Sequence, residues 1–151
     1  MEWLIDGYNL LISNDLGHDE AARERFRHRI GSHFAGKQVS VTVVYDSRGS
    51  AAIQRERITG AFSEIYVDNA DQFIIETIER HPRPRSIIVV TDDREILLAV
   101  RGRRPQRMST VDFLARIDSP AVHRRREAEK PESETPENIE RYLRIFGQDR
   151  S

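Results

Sequence analysis

The chain has 151 residues, of which 38% are hydrophobic and 32% charged, with a formal net charge of -1 and no cysteine. This length suffices for one compact domain with a core, and the missing cysteines exclude disulfides, thiolate metal sites and cysteine nucleophiles. No apolar run approaches the roughly 20 residues of a membrane span, and the amino terminus shows no basic leader with an apolar signal core, so we expect a soluble, cytoplasmic protein without a membrane partner.

The first part of the sequence predicts two strands and one long helix. Residues 3–5 form an apolar strand. A helix capped near Asp19 runs to Phe34, because its apolar residues recur every four positions. Residues 39–45, VSVTVVY, are rich in β-branched residues and predict the second strand. The polar segment around Arg55 and Arg57 is compatible with a helix.

The next part continues the alternation of strands and helices. The predicted elements are a strand at residues 65–67, a helix that begins at Asn69 and ends before HPRPR, a strand at 87–90, a helix at 93–100, a strand at 107–109 and a last helical turn through 117. Such alternation implies βαβ units, and strands that are apolar throughout are covered on both faces. We therefore expect an α/β fold with a central, mainly parallel sheet.

The composition changes at about residue 118. Residues 118–134 are charged and almost without apolar side chains, which predicts a linker. Residues 135–147 begin with Thr-Pro, a helix start, and carry one apolar stripe. They predict a short C-terminal helix that docks on the domain or on a partner. The expected organisation is a domain of residues 1–117, the charged linker and this helix.

Aspartates stand where the apolar strands end. Asp6 ends the first strand, Asp46 ends the second, and Asp92 with Asp93 follows the fourth, while Asp71 lies in the first turn of the helix after strand three. The carboxyl ends of parallel strands share one edge, where ligands bind at the topological switch point. Clustered carboxylates repel each other, and Mg²⁺ or Mn²⁺ relieves the repulsion and supports phosphodiester cleavage.

Two other residues of the first motif fit such a site. Asn9 can hold a water or a phosphate by hydrogen bonding, and Gly7 lets the backbone approach an ion closely. A single aspartate at a strand end is more often a helix cap or turn former. The neighbours Asp92 and Asp93 illustrate this, since one can cap the following helix while the other faces the metal. Aspartates at three strand ends, together with Asp71, favour metal binding over caps alone.

The segments IDGYNLL, VVYD, NADQFI and VVTDDREI, in this order and spacing, resemble the NYN-domain ribonucleases of the PIN-like superfamily, specifically the YacP-like branch. The match covers residues 1–117, and ETPENIERYLRIFG resembles the terminal helix of that branch. The resemblance implies a PIN-like three-layer α/β/α sandwich and metal-dependent endonucleolytic cleavage of RNA, with mRNA, tRNA and rRNA all open as substrates. The branch includes ribosome-associated endoribonucleases, which makes the ribosome a candidate partner.

The resemblance also assigns roles to the polar residues at the sheet edge. Asp92 stands where the family pattern often has serine, which makes it the weaker ligand candidate. The implied catalytic residues are Asp6, Asn9, Asp46, Asp71 and Asp93, and the implied ligands of Mg²⁺ or Mn²⁺ are Asp6, Asp71, Asp93 and Asp92.

Arginine outnumbers lysine by 22 to two, and arginine favours bidentate contacts with phosphate. Arg48 and Arg94 follow strand-end aspartates, and a further cluster follows the fourth helix. The candidate RNA-binding residues are Arg48, Arg94, Arg101, Arg103 and Arg104. A phosphate track and an ordinary solvated surface explain these arginines equally well.

Rival phosphate enzymes on α/β folds fit the sequence less well. A phosphatase of the haloacid-dehalogenase type needs a second acid two residues after Asp6, where this chain has Tyr8, and both it and a receiver domain need a lysine near the site. A dinucleotide-binding fold needs a Gly-x-Gly-x-x-Gly loop after strand one. Two alternatives stay open: a non-catalytic RNA-binding module on the same fold, and the toxin ribonuclease of a toxin–antitoxin pair.

Overall fold

A computed structural model describes residues 1–47 and 53–118. Arg48, the predicted linker beyond residue 118 and the predicted helix of residues 135–147 lie outside these ranges. The chain divides into two compact units, Met1–Thr110 and Val111–Ser151. The first unit contains the whole sheet.

Six strands form one sheet in the order β3-β4-β2-β1-β5-β6. They are β1 (Glu2–Asp6), β2 (Ser40–Asp46), β3 (Gln54–Arg57), β4 (Phe62–Val67), β5 (Ile87–Val90) and β6 (Gln106–Met108). Only the β3–β4 pair is antiparallel. The chain builds outward from β1 through β2 to β4 and then returns to the other side of β1 with β5. The topological switch point therefore lies between β1 and β5.

The described residues contain five α-helices. They are α1 (Gly7–Ser13), α2 (Glu20–Phe34), α3 (Ala70–Arg80), α4 (Arg94–Val100) and α5 (Thr110–Ile117), with short 3-10 turns at Pro84–Ser86 and Arg101–Arg103. The Asp19 side chain accepts a hydrogen bond from the Ala22 amide, and the Asn69 side chain accepts one from the Gln72 amide. These bonds confirm the predicted starts of α2 and α3. None of the helices within the described ranges is long and apolar enough to cross a bilayer.

Helices α1 to α4 lie on both faces of the sheet. On one face, a cluster that includes Leu4 of β1 and Val89 of β5 packs against apolar residues of α3 and α4. On the other face, Trp3 contacts Phe34 of α2 with ring centroids 5.3 Å apart, and Tyr45 contacts α1. Successive strand residues point to opposite faces, so one apolar strand feeds both cores. The predicted three-layer α/β/α sandwich with a mainly parallel sheet is confirmed.

Two elements differ from the expectation. The polar segment around Arg55 and Arg57 is the edge strand β3 rather than a helix, and all four of its residues are exposed. Charged side chains suit an edge strand, because they discourage pairing with a further chain. Helix α1 was not predicted, since its Gly-Tyr-Asn start has low helix propensity. The burial of Leu10 and Leu11 stabilises it instead.

Candidate metal centre

Three carboxylates converge at the carboxyl edge of the sheet. One oxygen each from Asp6, Asp71 and Asp93 lies within 4.8 Å of the others. Asp6 is the last residue of β1, Asp71 lies in the first turn of α3, and Asp93 is the N-cap of α4. Because α3 and α4 cover the same face of the sheet, the starts of both helices lie beside the end of β1. Residues separated by more than 80 positions thus share one site.

Asp6 is the buried member of this cluster. Its exposed fraction is 5%, and the Thr91 hydroxyl donates a hydrogen bond to its Oδ2 at 3.0 Å. Asp6 occupies the N-cap position of α1 without making a capping hydrogen bond through its side chain. The pKa of Asp6 is raised to about 7, chiefly by burial and in smaller part by the charges of Asp71 and Asp93, against the lowering effect of the bond from Thr91. The bare cluster is therefore electrostatically strained.

Asp71 and Asp93 form the more exposed side of the cluster. Partial burial raises the pKa of Asp71 above its usual value, and the adjacent Asp93 raises it further. The Oδ1 atom of Asp93 accepts a hydrogen bond from the Glu95 amide at 2.9 Å. Asp93 therefore both caps α4 and contributes to the cluster. The sequence had suggested that Asp92 and Asp93 would divide these two roles.

The structure does not bring Asp92 into the cluster. Its two carboxylate oxygens accept hydrogen bonds from the amide and the hydroxyl of Thr110, at the start of α5. Neighbouring residues in extended backbone point to opposite sides, so only one of Asp92 and Asp93 can face Asp6. The geometry thus gives no support to Asp92 as a metal ligand.

Asn9 holds the end of β5 in place. Its Oδ1 atom accepts a hydrogen bond from the Asp92 amide at 2.8 Å, and the Thr91 hydroxyl lies 3.3 Å from the same atom. These contacts join α1 to the turn that carries Asp93. The side-chain nitrogen Nδ2 of Asn9 takes no part in these contacts. The predicted proximity of Asn9 to the aspartates is present, but its oxygen positions the backbone.

Asp46 lies at the same edge without joining the three-residue cluster. It ends β2, and its charge contributes to the raised pKa of Asp71. Asp46 also lines a neighbouring pocket of about 420 Å³ together with Tyr8, Arg23 and Tyr66. The five predicted catalytic residues are therefore gathered at one edge, with Asp46 between the cluster and this pocket.

Gly7 has a packing role in addition to the approach to an ion that the sequence predicts. A Cβ atom at this position would lie 2.4 Å from Cε1 of Tyr45, far inside the normal contact distance. The missing side chain therefore makes room for the Tyr45 ring, which is fully buried. Gly7 therefore permits close packing between α1 and β2, which fixes the start of α1 next to Asp6.

Neither the role of Thr91 nor the ion pair between Arg27 of α2 and Glu64 was predicted from the sequence. Thr91 accepts a hydrogen bond from the Asp93 amide at 3.0 Å, and its hydroxyl contacts Asp6, so it joins two of the carboxylate-bearing residues. Glu64 is fully buried in β4 and accepts two hydrogen bonds from Arg27, at 2.8 and 2.9 Å. The signal for the ion pair in the sequence was Glu64, a charged residue inside the apolar segment FSEIYV. The predicted third strand began after Glu64, at residue 65, and was therefore too short.

The candidate RNA-binding arginines are divided between the two edges of the sheet. Arg94 is exposed directly after Asp93, at the carboxyl edge. Three further candidates follow α4 and precede β6, which is parallel to β5; they are Arg101, Arg103 and Arg104, whereas Arg48 lies outside the described residues. This order places them at the opposite, amino-terminal edge. There Arg103 donates a hydrogen bond to the His81 carbonyl at 2.8 Å.

The donor set fits a hard divalent cation. Three carboxylates supply only oxygen ligands, which Mg²⁺ and Mn²⁺ prefer over nitrogen or sulfur. Burial and, to a smaller extent, mutual repulsion raise the pKa values of Asp6 and Asp71, and a cation among the carboxylates would offset that repulsion. The residues present therefore suit such an ion.

A family model described as the YacP-like NYN domain matches residues 3–145 of the chain. The chain belongs to the YacP-like NYN family. This family is a PIN-like nuclease family, and ribonuclease activity is its general property. The recognition made from the four sequence motifs is thereby confirmed.

Two crystal structures similar to this YacP-like NYN chain are of Rae1 (YacP) from Bacillus subtilis. One is 22% identical, has a TM-score of 0.66 and covers 99% of this chain and 94% of that chain. The other, of the W164L mutant, is also 22% identical, with a TM-score of 0.64 and coverage of 96% and 91%. No curated protein sequence matches the chain. At this identity the likeness establishes a shared fold.

Proposed function

We propose that this YacP-like NYN protein is a metal-dependent endoribonuclease, in which Asp6, Asp71 and Asp93 hold Mg²⁺ or Mn²⁺. The observation that carries the proposal is the convergence of these three carboxylates within 4.8 Å at the switch point of the sheet. Helix capping alone does not require three carboxylate oxygens to lie this close together, and carboxylates aimed at phosphates weaken simple RNA binding. A bound cation would explain why the carboxylates lie so close together, and its positive charge would offset their repulsion of phosphates.

The chain's own residues would prepare the site for phosphodiester cleavage. When bound, Mg²⁺ or Mn²⁺ supplies Lewis-acid polarisation of a phosphate oxygen and a water of lowered pKa. Thr91 holds the buried carboxylate of Asp6 in one orientation. Asn9 fixes the turn that carries Asp93. Asp46 adds a further carboxylate beside Asp71, and we assign it a supporting catalytic role.

We propose RNA as the substrate, because ribonuclease activity is general in the family. Arg94 lies next to Asp93, where a guanidinium can contact a phosphate of the cleaved strand. The arginines at positions 101, 103 and 104 lie at the opposite edge, so they would contact a distant part of a longer RNA. We propose the ribosome as the partner, because it contains rRNA and binds mRNA and tRNA. The proposed location is the cytoplasm.

The test is incubation of the full chain with end-labelled single-stranded RNA in Mg²⁺, in Mn²⁺ and in EDTA. We expect internal cleavage with either metal and none in EDTA. The Asp6→Asn variant is the matched control, because it keeps the size of the side chain and removes its charge. Retention of RNA without cleavage would indicate a non-catalytic binding module, and cleavage that persists in EDTA would exclude the metal.

A further inference from the structure

A pocket of about 420 Å³ opens beside the metal centre, and the cleavage chemistry does not account for most of its lining. Two tyrosines, Tyr8 and Tyr66, line it together with Ile12, Arg23 and Asp46. Tyr8 follows Asp6 by two residues, and Asp46 lies close enough to Asp71 to affect its titration. The pocket therefore adjoins the carboxylates directly.

Tyr66 forms part of the pocket lining, and its side chain is held in place by contacts with Glu64 and Tyr45. The Tyr66 hydroxyl donates a hydrogen bond to Glu64 at 3.1 Å, and Arg27 contacts the same carboxylate with two hydrogen bonds. The Tyr45 ring stacks on Tyr66 with centroids 5.3 Å apart. A buried carboxylate is costly unless it is fully paired. The buried Glu64 is explained if it serves to hold the Tyr66 ring in one orientation at the pocket.

Another part of the pocket lining combines an aromatic ring with a cation. Arg23 donates a hydrogen bond from Nη1 to the Tyr8 hydroxyl at 2.8 Å, which fixes the guanidinium over the pocket. Within the described ranges, the buried Nε atom of Arg23 has no hydrogen-bond partner. At the rim, the apolar side chain of Ile12 is 55% exposed although it lies on a short, well-packed helix. Aromatic, cationic and apolar groups thus surround one cavity.

We propose that this pocket holds one unpaired nucleobase of the RNA, next to the phosphate that is cleaved. The inference rests on the proposed function and adds a nucleotide subsite to it. The volume lies within the roughly 300–1,000 Å³ of small-molecule sites. Tyrosine rings stack on bases, and arginine contacts base carbonyls or phosphates. A base inside a duplex cannot enter, so the substrate is single-stranded at the cleavage point.

The first test measures binding in EDTA, where cleavage does not occur. The full chain is titrated into a short fluorescent single-stranded RNA and its affinity is read by anisotropy. Tyr8→Ala removes the stacking ring and is expected to weaken binding about five- to 150-fold. Tyr8→Phe keeps the ring and is expected to stay within about threefold of the parent. Leu98→Ala, at an exposed position of α4, is the control for an apolar truncation elsewhere.

A second measurement guards against loss of folding in Tyr8→Ala. Nucleoside 5′-monophosphates are added to the parent chain and to Ile12→Ala, and amide resonances are followed by NMR. We expect shifts at Tyr8, Ile12 and Arg23, and weaker binding by Ile12→Ala, which keeps the fold because its side chain is exposed. A folded Tyr8→Ala with parental affinity, or monophosphates that shift no resonance of this pocket, would overturn the proposal.

The two proposals fail in different ways. A parent chain that binds single-stranded RNA through Tyr8 in EDTA but never cleaves with metal would end the nuclease assignment and leave the base pocket standing. A chain that cleaves with metal while Tyr8→Ala changes neither affinity nor KM would end the base pocket and leave the nuclease.

Discussion

Thr91 donates its hydroxyl hydrogen to Oδ2 of Asp6 at 3.0 Å, which joins the residue after β5 to the last residue of β1 across the switch point of the sheet. The same hydroxyl oxygen accepts the amide hydrogen of Asp93 at 3.0 Å. One small side chain therefore sets the relative positions of two of the three clustered carboxylates. Because both bonds use groups already fixed by neighbouring strands, the cluster is preorganised.

Removing the charge of one clustered carboxylate should abolish most cleavage. Asp6→Asn, Asp71→Asn and Asp93→Asn each keep the side-chain size, and asparagine can still cap α4 at position 93. We expect each variant to lose cleavage by on the order of a hundredfold or more, as when the electrostatic role of a metal is withdrawn. Initial rates on labelled RNA in Mg²⁺ or Mn²⁺ measure the loss.

The matched control is Asp92→Asn, which alters the adjacent carboxylate. Its oxygens bind Thr110 rather than the cluster, so we expect a much smaller loss of cleavage. An Asp92→Asn variant as inactive as Asp93→Asn would contradict this assignment. So would an Asp6→Asn variant that folds and cleaves normally.

Divalent metal should stabilise the folded chain. A ligand that binds only the folded state adds about 2.7 kcal/mol when its concentration is 100 times its dissociation constant. We expect thermal melting of the parent to shift upward in saturating Mn²⁺ relative to EDTA. The shift should vanish in a variant that carries both Asp6→Asn and Asp93→Asn. Equal midpoints for the parent in both conditions would argue against a preformed site.

In EDTA, the stability of the parent should fall as the pH rises from about 4 to about 7. Burial raises the pKa of Asp6 from 3.8 in the unfolded chain to about 7. Between these values the folded state binds more protons than the unfolded state, so rising pH favours unfolding, and the effect levels off above pH 7. Asp6→Asn should remove most of this dependence, leaving the smaller part that comes from Asp71, and be more stable than the parent at pH 8, by on the order of a few kcal/mol. Urea unfolding at pH 5 and pH 8 measures it, and a pH-independent parent would refute it.

Arg27→Ala should destabilise the fold by leaving Glu64 buried without its partner. Breaking a fully buried ion pair costs about 3–5 kcal/mol. The side chain of Glu64 is fully buried, whereas that of Arg27 is 28% exposed, so we expect a loss of about 2–3 kcal/mol. Arg25→Ala, on an exposed face of the same helix, should stay within about 0.5 kcal/mol of the parent. Chemical denaturation compares them, and equal effects would show that the pair contributes nothing.

Two glycine substitutions should have opposite effects on stability. Gly7→Ala places a Cβ atom against the ring of Tyr45 and should cost about 1–3 kcal/mol through overpacking. Gly31→Ala, inside α2, meets no atom within 4 Å and should stabilise by up to about 1 kcal/mol. Melting temperatures of the two variants provide the comparison. A neutral Gly7→Ala would mean that Tyr45 moves aside without cost.

The sequence predicted a helix or strand correctly where one local feature, such as an apolar run or a helix-capping side chain, is enough to form it. The apolar run at residues 87–90 coincides with β5, and Asn69 begins α3 as its side-chain oxygen predicts. The helix α1 escaped prediction because its stability comes from burial of Leu10 and Leu11, which outweighs the low helix propensity of its start. The strand β4 extends back to Phe62 because Arg27, from a distant helix, neutralises Glu64. Both errors arise from tertiary contacts that a local pattern does not contain.

The sequence alone determined that aspartates end the apolar strands, and a parallel sheet brings such strand ends to one edge, so the convergence of Asp6 and Asp93 was predictable. Only the tertiary structure decided whether Asp92 or Asp93 lies beside Asp6. The choice depends on which of the two side chains faces β1 in the segment that follows β5. The tertiary structure also decided the burial that raises the pKa of Asp6 and the pocket beside Tyr8. Burial and pocket shape arise from contacts between segments far apart in sequence, whereas strand ends are encoded locally.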